Sequence, residues 1–349
     1  MIVRSIKSNF SSQTKMRVKR ALGINPTLTL LKKIEHVEGK ISYELKKSCD
    51  QYAVDVLGSK VYAPWLYVYG LVSGQFKEGW IPDNYYGAIV IPRIKGAYGE
   101  ASELNGLQCS FRAGTFPDIM YRINGLFIDK DRQVVSDQAV INRLFDSQDT
   151  VVFKLDQSKQ GKGVRIIHKE DFQRFELSTL PNGVFQSFIY QHPDLAKFHP
   201  ESVATLRLTT IVDDAGKVSL RAGYIRFGSG QDSHVKSASH VRVPINLRNG
   251  RYSEFGYSVE WLKTDRHPDT GEVFGGDSVP GFSACVDTVL EAHREMPFVR
   301  CIGWDVAIDS SRKPYILEWN GAHNDIKFSE ATQGPCFSDL GWENLWHTQ

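Results

Sequence analysis

VRCIGWDVAID (299–309), SSRK (310–313) and PYILEWN (314–320) make up the stretch whose reading decides the fold. Two apolar runs flank a short polar turn, the pattern of a β-hairpin. Asp305 interrupts the first run, and Glu318 and Asn320 interrupt the second. Side chains of a strand alternate between faces, so Glu318 and Asn320 point the same way, and a short turn brings Asp305 across from them. Three oxygen donors converging on one spot suit Mg²⁺, which is held by one or two carboxylates together with substrate phosphates. They do not suit zinc, which favours nitrogen and sulfur. Charge inside an apolar strand pair is costly unless paired or metal-bound, so a structural ion pair with a buried arginine is the competing reading.

Working outward, VVFKLD (151–156) places Lys154 inside an apolar strand, and QSKQGKG (157–163) leads into VRIIH (164–168). This reads as a hairpin with a long glycine-containing loop. Lysine is rarely buried without a partner, and phosphate is a suitable one. Gly161 and Gly163 allow backbone N–H groups to approach phosphate oxygens, but a plain flexible turn has the same composition. It is not a Walker A loop, because GxxxxGK[ST] is absent and the glycines lie between strands. Arg207 in TLRLTT and Arg226 in GYIRFG are strand residues with apolar neighbours on the opposite face. Facing inward, each requires an anion; facing outward, each is solvated.

Composition sets the limits. The chain has 349 residues, 41% hydrophobic and 23% charged, with 42 Lys+Arg against 40 Asp+Glu. At roughly 100–200 residues per domain, two or three domains are expected. The charge balance gives no reason to propose a nucleic-acid partner. No segment approaches the roughly 18–20 apolar residues of a membrane helix, and the first residues carry no signal-peptide core, so a cytoplasmic protein is expected. Five scattered cysteines without a CxxC pair indicate neither a disulfide framework nor a zinc site. There is no G-x-S-x-G elbow and no Cys–His pairing, and the ten histidines are dispersed. His192 and His199, each followed by proline, read equally as structural or substrate-rim residues.

The first sixty residues read as helices. Ser12 caps a basic stretch (Lys15, Arg17, Lys19, Arg20) compatible with a solvated face or with peripheral contact to an anionic membrane. Asn25–Pro26 reads as a cap and first turn of a helix ending at Gly39, and Ile41, Leu45, Cys49, Tyr52 and Val56 repeat at helical spacing. Ser136 caps a helix over 136–146. SVATLRLTTIV–DDAG–KVSLRAGYIRF and RVPINL–RNG–RYSEFGYSV read as two further hairpins, and GFSACVDTVLEAHREM as a helix. The expected class is α+β. Its expected divisions are a helical, aromatic-rich region (1–100), a central lobe with the glycine loop (101–190) and a C-terminal lobe with the metal-binding hairpin (191–349).

A strand lysine, a glycine loop, an apolar segment with Gln186, a strand arginine and an Asp…Glu-x-Asn hairpin follow one another in order. FKLDQSKQGKGVRII, VFQSFIYQHPDLAKFHPESVATLRLTTI, HPDTGEVFGGDSVPGF and IGWDVAID…PYILEWN, spanning 151–320, resemble the ATP-grasp superfamily, specifically its sugar-transfer-associated branch. The resemblance implies ATP held between two α+β lobes. It implies that Lys154 holds ATP phosphates and that the loop with Ser158, Gly161, Lys162 and Gly163 covers them. Gln186, Phe188 and Ile189 match the adenine hinge, with Gln191 toward the ribose. Arg207 and Arg226 match the groups facing the transferred phosphate, and Asp305, Glu318 and Asn320 match the Mg²⁺ ligands. Where the branch often has a VDN-like segment, this chain has GQDSHVKSASH, so that Asp232, His234, Lys236 and His240 stand in its place. The lysine expected before the central strands is not found in ELNGL (103–107). The implied activity is an ADP-releasing carboxylate–amine ligase working through an acyl phosphate. Its implied substrates are a small carboxylate and an amine, one of them a sugar or sugar nucleotide of bacterial surface polysaccharide, as in amidation of a uronic acid. The alternatives are an ATP-grasp kinase acting on a hydroxyl and a nucleotide-binding protein without turnover.

Overall fold

The computed structural model describes residues 23–158, 163–172, 177–230 and 239–347. The basic N-terminal stretch with its Ser12 cap lies outside them. The chain forms two compact units, one of Met1–Gly96, Glu260–Leu262 and Asp325–Gln349, the other of Ala97–Val259 and Lys263–Asn324.

The first unit is helical. Ile24–Glu38 starts one residue before Asn25, with Gly23 in the left-handed region as its N-cap. Its first helical bond runs from Thr27 N to Gly23 O, so the missing N–H of Pro26 costs nothing. Gly39 ends it as the sequence predicts. Tyr43–Asp55 is capped by Ser42 Oγ, which accepts from Leu45 N at 3.1 Å. The aromatic stretch after residue 60 is helical as well, with Ala63–Ser73 buried along most of its length. Tyr69 and Trp80 pack edge to face at 5.7 Å in this core. Glu330, on the short helix Lys327–Thr332, is fully buried. Its carboxylate accepts from Ile81 N at 2.8 Å and Cys336 N at 2.7 Å. Burial pushes its pKa up to about 7 against those two bonds.

The second unit holds two antiparallel sheets. The first has β1 (Asp118–Ile123), β2 (Leu126–Asp129), β3 (Val134–Val135), β4 (Thr150–Leu155), β5 (Val164–His168) and β6 (Gly183–Ser187). Their order is β3-β2-β1-β6-β4-β5. Met120, Phe153 and Phe185 bury one face against the helix Asp137–Leu144 through Val140 and Leu144. The second sheet has β7 (Thr205–Val212), β8 (Val218–Gly228), β9 (His240–Pro244), β10 (Gly256–Tyr257), β11 (Lys263–Thr264), β12 (Cys301–Ile308) and β13 (Pro314–Asn320). Their order is β11-β10-β9-β8-β7-β12-β13. Leu206, Leu208, Ile225, Phe227, Trp304 and Trp319 share one core with Cys285 and Val289 of the helix Phe282–Glu295. The period of two therefore sends Arg207, Arg226, Asp305 and Glu318 to the opposite face. The architecture is α+β with a helical N-terminal region. No helix among the described residues is long and apolar enough to cross a membrane.

Candidate functional site

The β12–β13 register sets Asp305 opposite Glu318 and Gly303 opposite Asn320. A bulge follows Asp305, and β7 sets Arg207 beside Asp305 from the other side. Asp305 is buried, at 5% exposure. Arg207 grips it bidentately, Nε to Oδ1 at 2.5 Å and Nη2 to Oδ2 at 3.0 Å. Arg226 Nη2 reaches the same Oδ2 at 2.7 Å. Burial alone would raise the Asp305 pKa, but the two guanidinium groups outweigh it and bring it down to about 2. The ion-pair reading of Asp305 is therefore realised: of about four lone-pair positions on a carboxylate, three meet guanidinium donors among the described residues.

Glu318 is exposed on its strand. Its pKa is raised by desolvation and by the neighbouring Asp305 charge, with Lys154, Arg207 and Arg226 opposing. Asn320 Nδ2 donates to Gly303 O at 3.2 Å, which orients the amide. A site for Mg²⁺ fits the chemistry of this donor set, two carboxylates paired across the hairpin and one amide on the same face. Among the described residues no group of three or more His, Cys, Asp or Glu gathers. Arg226 Nε is buried without a hydrogen-bond partner among the described residues, as expected of a donor aimed at an anion.

The first sheet faces this cluster with Lys154. Its Nζ donates to Leu317 O, the bulged residue beside Glu318, at 2.9 Å. Burial draws the Lys154 pKa below lysine's usual value, while Glu318, Asp118 and Asp305 pull it back up. On the same face, Gln186 Nε2 donates to Asp118 Oδ1 at 2.7 Å, and Tyr121 Oη donates to Asp118 Oδ2 at 2.8 Å. With its amide nitrogen turned inward, Gln108 donates to the same carboxylate at 3.0 Å. Desolvation pushes Asp118 up to about 6 against these bonds and the Lys154 charge. A cavity of about 670 Å³ is lined by Gln108, Asp118, Tyr121, Ser187 and Tyr315, among others.

Lys154, Gln186, Arg207, Arg226, Asp305, Glu318 and Asn320 thus come together. Ser158 Oγ donates to Leu155 O at 2.8 Å, and a side chain at Gly163 would meet Ser158 Cβ and Oγ at 2.4 Å, so glycine there lets the loop base close on itself. Gly161 and Lys162, like Asp232, His234 and Lys236, lie outside the described residues, while His240 opens β9 opposite Gly228. Ile189 is buried and Phe188 packs edge to face on Tyr190 at 5.1 Å. Gln191 differs from its expected role. Its Nε2 donates to His199 O at 2.8 Å and Ser202 O at 3.1 Å, and its Oε1 accepts from Ala204 N at 2.8 Å, which commits the amide to the loop rather than to a ribose. His192 Nδ1 accepts from Asp194 N, a structural cap. Sequence reasoning missed Asp118 and Tyr121. The signal was there: PDIMYRI puts a carboxylate at the head of an apolar strand, as VVFKLD does an ammonium.

In this α+β unit one sheet offers a lysine and the other a carboxylate–amide–arginine face, the arrangement that the resemblance to the ATP-grasp superfamily implies. The profile of the family described as sugar-transfer associated ATP-grasp matches residues 175–339, a little under half of the chain. No curated protein matches the sequence. Among solved structures, the ATP-grasp ligase PsnB complexed with minimal precursor is similar at 11% identity and TM-score 0.41, over 73% of this chain and 64% of that one. The biotin carboxylase of Campylobacter jejuni is similar at 12% identity and TM-score 0.40, over 72% and 46%. The L-amino acid ligase of Bacillus licheniformis is similar at 12% identity and TM-score 0.36, over 73% and 48%. The chain thus spans less than two thirds of each of these proteins.

Proposed function

We propose that the protein is an ATP-dependent carboxylate–amine ligase that works through an acyl phosphate. The observation that carries this reading is Lys154 bonded to the Leu317 bulge, one residue from Glu318, on the face where Arg207, Arg226 and Asp305 meet. Asp305, Glu318 and Asn320 would hold Mg²⁺, which when bound supplies positive charge to the nucleotide phosphates. Lys154 and the loop through Ser158, Gly161, Lys162 and Gly163 would hold those phosphates. Gln186, Phe188 and Ile189 would border the base, with the cavity beside Ser187 and Tyr315 taking the nucleoside.

Phosphoryl transfer depends on positioning and charge neutralisation more than on a protein nucleophile. A carboxylate oxygen of the acid attacks the γ-phosphorus as the bond to the ADP oxygen breaks. Arg226, whose Nε is without a partner among the described residues, and Arg207 face the charge that develops there. The amine nitrogen then attacks the acyl carbon, inorganic phosphate leaves, and the nitrogen loses a proton. The family's description supports a sugar-bearing substrate, for example a uronic acid amidated for surface polysaccharide in the cytoplasm. Lobes divided near residue 190 would open and close on the nucleotide.

The test is ADP release from MgATP against a panel of uronic acids and amines. Release that requires both co-substrates supports the ligase. Release with a single alcohol establishes a kinase instead, and MgATP binding without release establishes a nucleotide-binding protein without turnover.

A further inference from the structure

Two His-Pro turns that the reaction scheme leaves unused close on one point of the chain. His199-Pro200-Glu201-Ser202 and His267-Pro268-Asp269-Thr270 carry the buried imidazoles. His267 Nε2 donates to Gly228 O at 2.7 Å, and its Nδ1 accepts from Asp269 N at 3.3 Å. His199 Nε2 donates to Gly230 O at 2.9 Å, and its Nδ1 accepts from Ser202 N at 3.0 Å. Both rings are therefore neutral Nε2–H tautomers. Burial lowers the His267 pKa, which keeps it neutral, while Asp269 and the bond to Gly228 oppose this. Asp269 Oδ2 accepts from Gly230 N at 2.8 Å, and Thr270 Oγ1 ties the second turn to Phe198 O at 3.2 Å. Gln191 braces the first turn through His199 O and Ser202 O. A side chain at Gly228 would strike Ser202 Oγ at 2.5 Å, so the approach is open to glycine alone.

Gly228 ends β8, two residues after Arg226. Among the described residues Arg226 pairs with Asp305, and its Nε has no hydrogen-bond partner there. We infer that His199 and His267 are positioning residues: together they clamp the end of β8 and so hold the Arg226 guanidinium aimed at the transferred phosphate. Neither ring touches substrate. This rests on the proposed ATP site, because it is the γ-phosphate that Arg226 would meet.

The test uses the full chain and two probes, MgADP and the magnesium complex of the non-hydrolysable imido analogue of ATP, by titration calorimetry. The ratio of their affinities isolates the γ-phosphate. In His199→Ala and His267→Ala the ratio falls roughly tenfold, the worth of one charge-assisted hydrogen bond, while MgADP affinity holds within about twofold. His267→Gln, whose amide N–H reaches the Gly228 carbonyl, restores the ratio. Arg226→Ala lowers the ratio equally, and adding His267→Ala to it lowers it no further. An unchanged ratio in both histidine variants overturns the inference, as does parallel weakening of both probes without rescue by glutamine. If the native chain binds neither probe, the ATP site is wrong. The clamp is then judged by nitrogen-15 NMR, where Nε2–H tautomers and a slowly exchanging Gly230 amide uphold it, and Nδ1–H tautomers refute it.

Discussion

Asp305→Asn removes one charge and almost no volume. In the native chain that charge sits at 5% exposure against two guanidinium groups. The substitution leaves Arg207 and Arg226 facing a neutral amide whose Nδ2 is itself a donor. Removing one partner of a buried ion pair costs about 3–5 kcal/mol. Proton linkage gives an independent figure. The Asp305 pKa moves from 3.8 to about 2, which on the scale of proton linkage is worth roughly 2 kcal/mol. The sign is that of a depressed carboxylate: the stabilisation is present above the unfolded pKa and is lost as pH falls from about 4 to about 2. Urea unfolding followed by the fluorescence of buried Trp304 and Trp319 measures it. At pH 7 the variant should lose about 2–4 kcal/mol with an unchanged denaturant slope, and the difference should shrink toward pH 2. A loss under about 1 kcal/mol at pH 7, or a difference independent of pH, would refute the two-arginine account of Asp305.

Glu318→Gln removes a carboxylate whose charged form the fold disfavours, so the free protein should melt no lower than the native chain. Mg²⁺-dependent nucleotide binding should nevertheless be abolished, and a variant still binding MgADP would take Glu318 out of the site. Lys154→Met should weaken MgADP by about 10–100-fold, the worth of a charge-assisted bond. In the native chain that affinity should decline with rising pH earlier than an ordinary lysine allows, because burial lowers the Lys154 pKa; a flat profile to pH 10 contradicts this. Glu330, raised from 4.5 to about 7, supports folding most fully below the unfolded pKa and gives up about 3 kcal/mol as pH rises from about 4.5 to about 7. Urea midpoints should therefore fall across that interval in the native chain, level off above it, and show no such fall in Glu330→Gln.

The sequence by itself determined three hairpins of the second unit, β4–β5, β7–β8 and β12–β13, and the face on which each of their side chains lies. Alternation in CIGWDVAI, PYILEWN, TLRLTTIV and VSLRAGYIRFG assigns each side chain to a face, because strand geometry fixes a period of two whatever the surroundings. It likewise placed the helix Phe282–Glu295, whose apolar positions recur at helical spacing. Lys154, Arg207, Arg226, Asp305 and Glu318 could be picked out because charge within an apolar strand needs a compensating partner. Which partner each finds depends on contacts between elements far apart in the chain. Only the tertiary structure decided that Asp305 answers two arginines from β7 and β8, that Lys154 meets the bulge beside Glu318, and that Asp118 organises Gln186 and Tyr121. It also decided that Gln191 braces a loop, since local sequence does not say where an amide finds its acceptors. The return of residues 325–349 to the helical unit was equally hidden, because burial of Glu330 beside Ile81 is a contact across some 250 residues that no local pattern encodes.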